Sequence, residues 1–249
     1  MRKITFTKVL AILGVALLFV SSCTEAEEII VEAEKAQPIT VSEIENPKNP
    51  YEEEGMKYIK TVEFLGEKYG SKLRNTPIKE LKEAVSDYAV NQGADKLDEE
   101  DFRVVNQILA CSKDGDLTGS CIRDPFCIFF PKKCAFLEDL IESFEKTTIA
   151  SKEESLEFTN QIIGMEDDMG YEKSDTNRNN GMRCMVIMRY CTYNWHNENQ
   201  ESEGSVWYGD IQRAKEISWE DIVLAGAIGS LDGPYSAGLA SALALANQK

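Results

Sequence analysis

The sequence predicts a mainly α protein: an irregular helical bundle with a disulfide-rich loop and a C-terminal Gly/Ala-rich helical hairpin. Three observations predict it. Apolar residues recur at spacings of three and four in most segments after residue 51. Four cysteines crowd into "CSKDGDLTGSCIRDPFCIFFPKKC" at residues 111–134. The stretch 222–246 carries no charge except Asp232 and is dominated by Gly, Ala and Leu.

Taken in order, "YEEEGMKYIKTVEFLGEKY" places Ile59, Val62, Leu65 and Tyr69 on one helical face. "NTPIKELKEAVSDYAVNQG" reads as a second helix, with Thr76 as N-cap, Pro77 at its first position and Gly93 at its end. "LDEEDFRVVNQILAC" opens with Asp98 and an acidic first turn, which complements the helix dipole. Its inward face is Phe102, Val105, Ile108 and Leu109.

After the cysteine-rich loop, "CAFLEDLIESFEKTTIA" is in helical register, and Ser151 with Glu154 forms a capping box for "SKEESLEFTNQIIGM". "EDDMGYEKSDTNRNNG" has no apolar period and reads as a loop. "MRCMVIMRYCTYNW" is apolar on all sides and reads as a buried element, helical rather than extended. Residues 202–217 form a polar connection. Ser218 and Asp221 make a second capping box. Asp232-Gly233-Pro234 then divides the last segment into two short helices, with Asp232 at the turn. Small residues four apart, such as Ala225/Gly229 and Ala237/Ser241, permit close helix contact in a soluble core or in a membrane. A docked αα-hairpin is the expected outcome, and a membrane-active hairpin is the alternative. Each arm is too short to span a bilayer.

The N-terminal residues are of another kind. Arg2, Lys3 and Lys8 precede an apolar run, residues 10–20, of the length a secretory signal uses. The run ends in Val20-Ser21-Ser22-Cys23, which resembles the lipobox of bacterial lipoproteins. The resemblance implies a signal peptide over residues 1–22, cleaved before Cys23. It implies a diacylglyceryl group on the Cys23 thiol and acylation of the new N-terminus, with palmitate among the acyl groups. Two or three acyl chains hold a protein stably on a membrane where one does not. Residues 23–50 are acidic, contain Pro38, Pro47 and Pro50, and are expected to be a flexible tether to a single helix-rich domain over residues 51–249. The acidic residues behind Cys23 resemble export signals of some Bacteroidetes lipoproteins. "NPKNPYEEEGMKYI" and the Gly/Ala-rich end resemble uncharacterised lipoproteins of that group, though the HN dipeptide common in their start is missing here. The location implied is the outer membrane, on its periplasmic face or at the cell surface. The resemblance brings no assigned activity.

Charge excludes one class of function. The chain carries −16, and removal of residues 1–22 takes away three of 27 basic residues and no acidic one, leaving −19. Such a surface repels nucleic acid. Basic partners, cationic peptides and calcium are electrostatically permitted.

Without Cys23, six cysteines remain: Cys111, Cys121, Cys127, Cys134, Cys184 and Cys191. An even number in an exported chain reads as up to three disulfides. On a helix, residues seven apart lie about 10 Å from each other, too far for a mutual bridge. The expectation is therefore pairing within residues 111–134 and at least one bridge to the Cys184/Cys191 segment. A zinc site is disfavoured because C-x-x-C spacing is lacking and His196 is the one histidine.

Candidate chemistry is sparse. Asp114, Asp116 and Thr118 sit at calcium-loop spacing, but Pro125 stands where a bidentate glutamate belongs. Asp175, Asn177 and Asn179 alternate similarly, and turn chemistry explains both groups as well as calcium does. His196 is expected in a solvated loop beside Trp195. Ser143 and Lys146 have S-x-x-K spacing without the motifs that accompany it in penicillin-recognising enzymes. "GPYSAG" around Ser236 misses the nucleophile-elbow pattern by one residue. The sequence therefore reads as a non-enzymatic, lipid-anchored binding module for an envelope protein, a peptide or a glycan. A hydrolase gathering Glu166, Asp167 and Asp168 in a cleft is the second reading.

Overall fold

The computed structural model describes residues 38–111, 151–172, 175–200, 207 and 219–247. Among them are seven α-helices and no strand: α1 (Glu52–Tyr69), α2 (Ile78–Asn91), α3 (Arg103–Cys111), α4 (Lys152–Met169), α5 (Thr176–Gln200), α6 (Trp219–Gly229) and α7 (Pro234–Ala246). The predicted mainly α class holds. The cysteine-rich loop after Cys111, with Cys121, Cys127, Cys134, Asp114, Asp116 and Thr118, lies outside the described residues, as do the expected helix at 134–150, Ser143, Lys146, Ser218 and Cys23.

Local rules set several helix ends as expected. Ser151 Oγ accepts the Glu154 N–H at 3.2 Å and Glu154 Oε2 accepts the Ser151 N–H at 3.1 Å, a complete capping box. Gly93, at φ 85, supplies the left-handed turn after α2. At the start of α2 the expected cap does not form. Thr76 Oγ1 donates instead to the Lys72 carbonyl, and Pro77 takes the N-cap position. The expected loop after residue 165 is mostly helix. Helix α4 continues to Met169 and α5 begins at Thr176, because Glu166 is buried against α5 rather than solvated.

The centre of the domain is the C-terminal hairpin. Helix α6 packs on α7 and on α5, and α7 packs on α1, α2 and α3. Every residue from Tyr235 to Ala246 is buried. Burial of one aliphatic side chain is worth about 1.5–3 kcal/mol, so this pair, with no charge from Ile222 to Leu231 or from Pro234 to Ala246, anchors the fold. Small residues set its tightness. A Cβ on Gly229 would fall 2.8 Å from Ala237 Cα, and one on Gly238 would fall 2.7 Å from Thr61 Cβ. No helix among the described residues is long and apolar enough to cross a membrane. The docked hairpin is the outcome observed, and its faces are used up inside the protein.

Asp232 lies at the break between the two helices, as expected, but it is not solvated there. Its side chain is 3% exposed. It accepts the Val104 N–H and an Arg103 Nη2 bond at 3.1 Å. The break between α6 and α7 thus caps the N-terminus of α3, 128 residues away in the chain. Capping satisfies one of the four unpaired N–H groups that begin any helix.

The expected tether is also shorter than residues 23–50. Residues 38–51 are packed: Ile39 is 2% exposed, Ile44 0%, Asn46 3% and Asn49 2%. The second half of this segment belongs to the domain, and residues 36–249 form one compact unit. Two apolar anchors and two asparagine amides override a composition that reads as linker.

Candidate functional site

Three polar groupings lie inside the described domain. The largest centres on Arg189, in the middle of α5. Its side chain is fully buried. Nη2 reaches Glu52 Oε2 at 2.6 Å, Nη1 reaches Glu52 Oε1 at 3.2 Å and Nε reaches Glu166 Oε1 at 3.0 Å. Nη1 also donates to the Ile44 carbonyl. Tyr190 donates its hydroxyl to Glu52 Oε1 at 2.9 Å, and Asn46 donates its amide to Glu166 Oε2 at 2.8 Å. One guanidinium therefore ties α1, α4, α5 and the segment before α1 into one knot. Burial pushes the Glu166 carboxyl above the usual range, while the Arg189 charge and the Asn46 amide pull it down. Burial and the Glu52 charge push the Tyr190 hydroxyl up as well. A planar fork binding two carboxylates suits arginine and not lysine.

The second grouping concerns the cysteines. Cys184 and Cys191 are both free and buried, so the expected bridge to this segment is absent. Tyr58 donates to Cys191 Sγ at 3.0 Å, with Ser241 Oγ 3.8 Å from the same sulfur. Cys184 Sγ donates to the Ala227 carbonyl at 3.0 Å and accepts from Ser230 Oγ at 3.4 Å. Helix α5 is buried on nearly all sides, and two residues seven apart on it both meet the C-terminal hairpin. Burial pushes both thiols up to about 12. They are protonated near neutrality and inert as nucleophiles.

The third is an open groove of about 500 Å³ beside α2, lined by Lys79, Lys82, Ser86, Leu97, Glu99 and Phe102 among others. Lys82 Nζ lies 2.7 Å from Glu99 and 5.8 Å from the Phe102 ring centre. Ser86 Oγ both accepts the Leu97 N–H, at 3.0 Å, and donates to the Leu97 carbonyl, at 3.1 Å. Among its charges, Lys79 also pairs with Glu83 at 3.9 Å.

The remaining expected site residues are dispersed. Glu166 is in the Arg189 knot, Asp167 pairs with Lys48 at 2.5 Å, and Asp168 is exposed. They share no cleft, because three successive helical positions point in three directions. His196 is not in a solvated loop. It is 1% exposed within α5, with Nδ1 3.2 Å from Ser155 Oγ. Its helix runs past the expected end at Trp195, whose ring meets Trp207 edge-on at 5.8 Å. Asp175 Oδ1 accepts the Arg178 N–H at 3.0 Å, so it caps α5 instead of opening a calcium loop. Asn177 and Asn179 lie in the first turns of that helix. Ser236 is buried in the first turn of α7. Among the described residues no cluster of three or more acidic, cysteine or histidine side chains is placed to hold a metal ion.

Sequence reasoning missed Arg189, Glu52 and Asn46. One weak signal was present: an arginine in the middle of the apolar run "MVIMRYC" must find a buried partner.

Compared with protein-family profiles, with curated proteins and with solved structures, the chain matches none.

Proposed function

We propose that this protein is a lipid-anchored lipoprotein of the bacterial outer membrane whose helical domain acts as a binding module. The observation that carries the reading is Val20-Ser21-Ser22-Cys23 behind a basic start and an apolar run. Fourteen residues lie between Cys23 and Pro38. Even at full extension they span at most about 50 Å, so the domain works close to the membrane that holds it. A mature charge of −19 favours a basic partner over an acidic one. The binding reading is supported over hydrolysis because Glu166 is buried in the Arg189 knot, Asp167 pairs with Lys48 and Asp168 is exposed.

Intact mass spectrometry of the membrane fraction tests the anchor. The expected result is a chain beginning at Cys23 with diacylglyceryl and acyl adducts, and loss of membrane association in Cys23→Ala. A chain with an unmodified residue 23 overturns the reading.

A further inference from the structure

Tyr171 is one of two large apolar side chains that stand exposed among the described residues, at 47%; Val90 on α2 is the other. Helix α4 gives way to Gly170, whose φ of 62 lies in the left-handed region that favours glycine. The chain turns off the helix there and sets the next residue on the surface. Tyr171 does not stand alone. Its ring meets that of Tyr51, just before α1, edge-on at 6.2 Å. The Arg183 guanidinium, carried by α5, lies over the Tyr51 ring at 4.6 Å from its centre. Two rings and a guanidinium from three elements thus form one surface.

The surface is held from behind. Asn49 is buried. Its Oδ1 accepts the Tyr51 N–H at 3.0 Å and its Nδ2 donates to the Met182 carbonyl at 3.2 Å. One amide therefore fixes Tyr51 beside the residue that precedes Arg183. Glu54 Oε1 lies 3.2 Å from Arg183 Nε and occupies one edge of the guanidinium. Nη1 and Nη2, with four N–H donors between them, bond to no other group among the described residues, and the side chain is 35% exposed. The chemistry of this surface selects its ligand. Arg183 is matched by Glu54, Arg178 by Glu172 and Asp175, and Lys48 by Asp167. No positive charge is left over to draw an anion toward an acidic chain. A cation would find the Tyr51 face already taken by Arg183. A purely apolar side chain laid across the surface would strand the Nη donors away from water, which is unfavourable. An uncharged molecule with an apolar face and a rim of acceptors satisfies both parts.

We propose that Tyr171, Tyr51 and Arg183 form a carbohydrate-binding platform whose ligand is a neutral oligosaccharide of pyranose units. A pyranose ring carries C–H groups on its faces and hydroxyls around its rim. One face stacks on the exposed Tyr171 ring, and rim hydroxyl oxygens accept from Arg183 Nη1 and Nη2. Tyr51 orients both partners, touching the Tyr171 ring with its own and lying under the guanidinium. The platform rests on the binding-module reading and names its ligand; its test is separate from lipid attachment.

The full-length chain in detergent micelles is screened on an array of neutral and acidic oligosaccharides, and each hit is titrated by calorimetry. At least one neutral pyranose oligosaccharide should bind saturably. Tyr171→Ala should weaken that binding by about tenfold. Arg183→Lys keeps the charge but loses the fork, and should weaken it by about fivefold. Tyr171 is exposed, so its truncation leaves the fold intact, which circular dichroism checks. Val90→Ala removes the other exposed apolar side chain and should leave the affinity unchanged. Binding of acidic sugars alone, or binding that survives Tyr171→Ala, overturns the platform. Decalysine at physiological salt is titrated alongside. A chain that ignores every sugar and binds decalysine loses the platform and keeps the binding-module reading. A chain that binds neither loses both.

Discussion

Arg189 donates its Nε to Glu166 at 3.0 Å, and neither side chain has any exposure to solvent. The charge on α5 also holds Glu52 by two bonds. Removing the arginine strands the buried Glu166 carboxylate and the half-buried Glu52 carboxylate, whereas neutralising Glu166 strands none.

Arg189→Met should therefore destabilise the domain by about 3–5 kcal/mol. Glu166→Gln keeps an acceptor for Nε and should cost only about 1–2 kcal/mol. Urea unfolding followed by circular dichroism measures both. Equal losses would show that Glu52 and Glu166 do not act through the same guanidinium.

The glycines of the domain separate into crowded and open ones. On Gly229 a methyl group would meet Ala237 Cα at 2.8 Å, and backbone cannot move aside as a flexible side chain can. Gly229→Ala should destabilise by about 1–3 kcal/mol. Gly164, inside α4, has nothing within 4 Å of the same position. Gly164→Ala should stabilise by about 0.5–1 kcal/mol through helix propensity. Thermal melts of the two variants should shift in opposite directions.

Cys184 and Cys191 should be silent toward a thiol reagent such as dithionitrobenzoate at pH 8 in the native chain and react fully in denaturant. The pH dependence has a definite sign. Both thiols titrate at about 12 when folded and near 9 when unfolded. Between those values the unfolded chain has lost protons that the folded chain keeps. Stability contributed by these groups is full below about pH 9 and falls as pH rises toward 12. Cys184→Ala and Cys191→Ala should each flatten that alkaline loss. A native chain whose Cys191 reacts promptly would contradict the burial of this thiol against Tyr58 and Ser241.

Glu43 titrates the other way. The Lys152 ammonium, with the Thr40 backbone N–H and hydroxyl, holds its carboxyl down at about 2. Its contribution is present above about pH 4.5 and is lost as pH falls toward 2. In hydrogen exchange, Glu43→Gln should loosen residues 38–44 at pH 6 and make a much smaller difference at pH 2, where the carboxyl is about half protonated. A difference of equal size at both pH values would show that the Lys152 bridge does not hold residues 38–44.

The helices were largely legible because each carries its own evidence. Ile59, Val62 and Leu65 recur at helical spacing, and all three are buried on α1. Ser151 and Glu154 are three residues apart, so their capping box is readable locally. The polar core was not legible. Glu52 and Arg189 are 137 residues apart, and each alone resembles a solvated surface charge. The same holds for Asp232, which looks like a turn residue until α3 is brought to it. Cysteine parity pointed to a bridge at Cys184 or Cys191, yet burial in α5 against the hairpin leaves both as free thiols.

The sequence by itself determined that the chain is helical, that it is strongly acidic, and that its last segment is a hairpin of small residues. Those properties depend on composition and on contacts within a few residues, where spacing is information enough. Only the tertiary structure decided that the hairpin is the core, that Arg189 joins three helices, and that residues 38–49 belong to the domain. Each of those depends on which distant segment supplies the partner of a buried polar group. An unpaired buried charge costs several kcal/mol, so the fold must provide one, but its address is written in no local pattern.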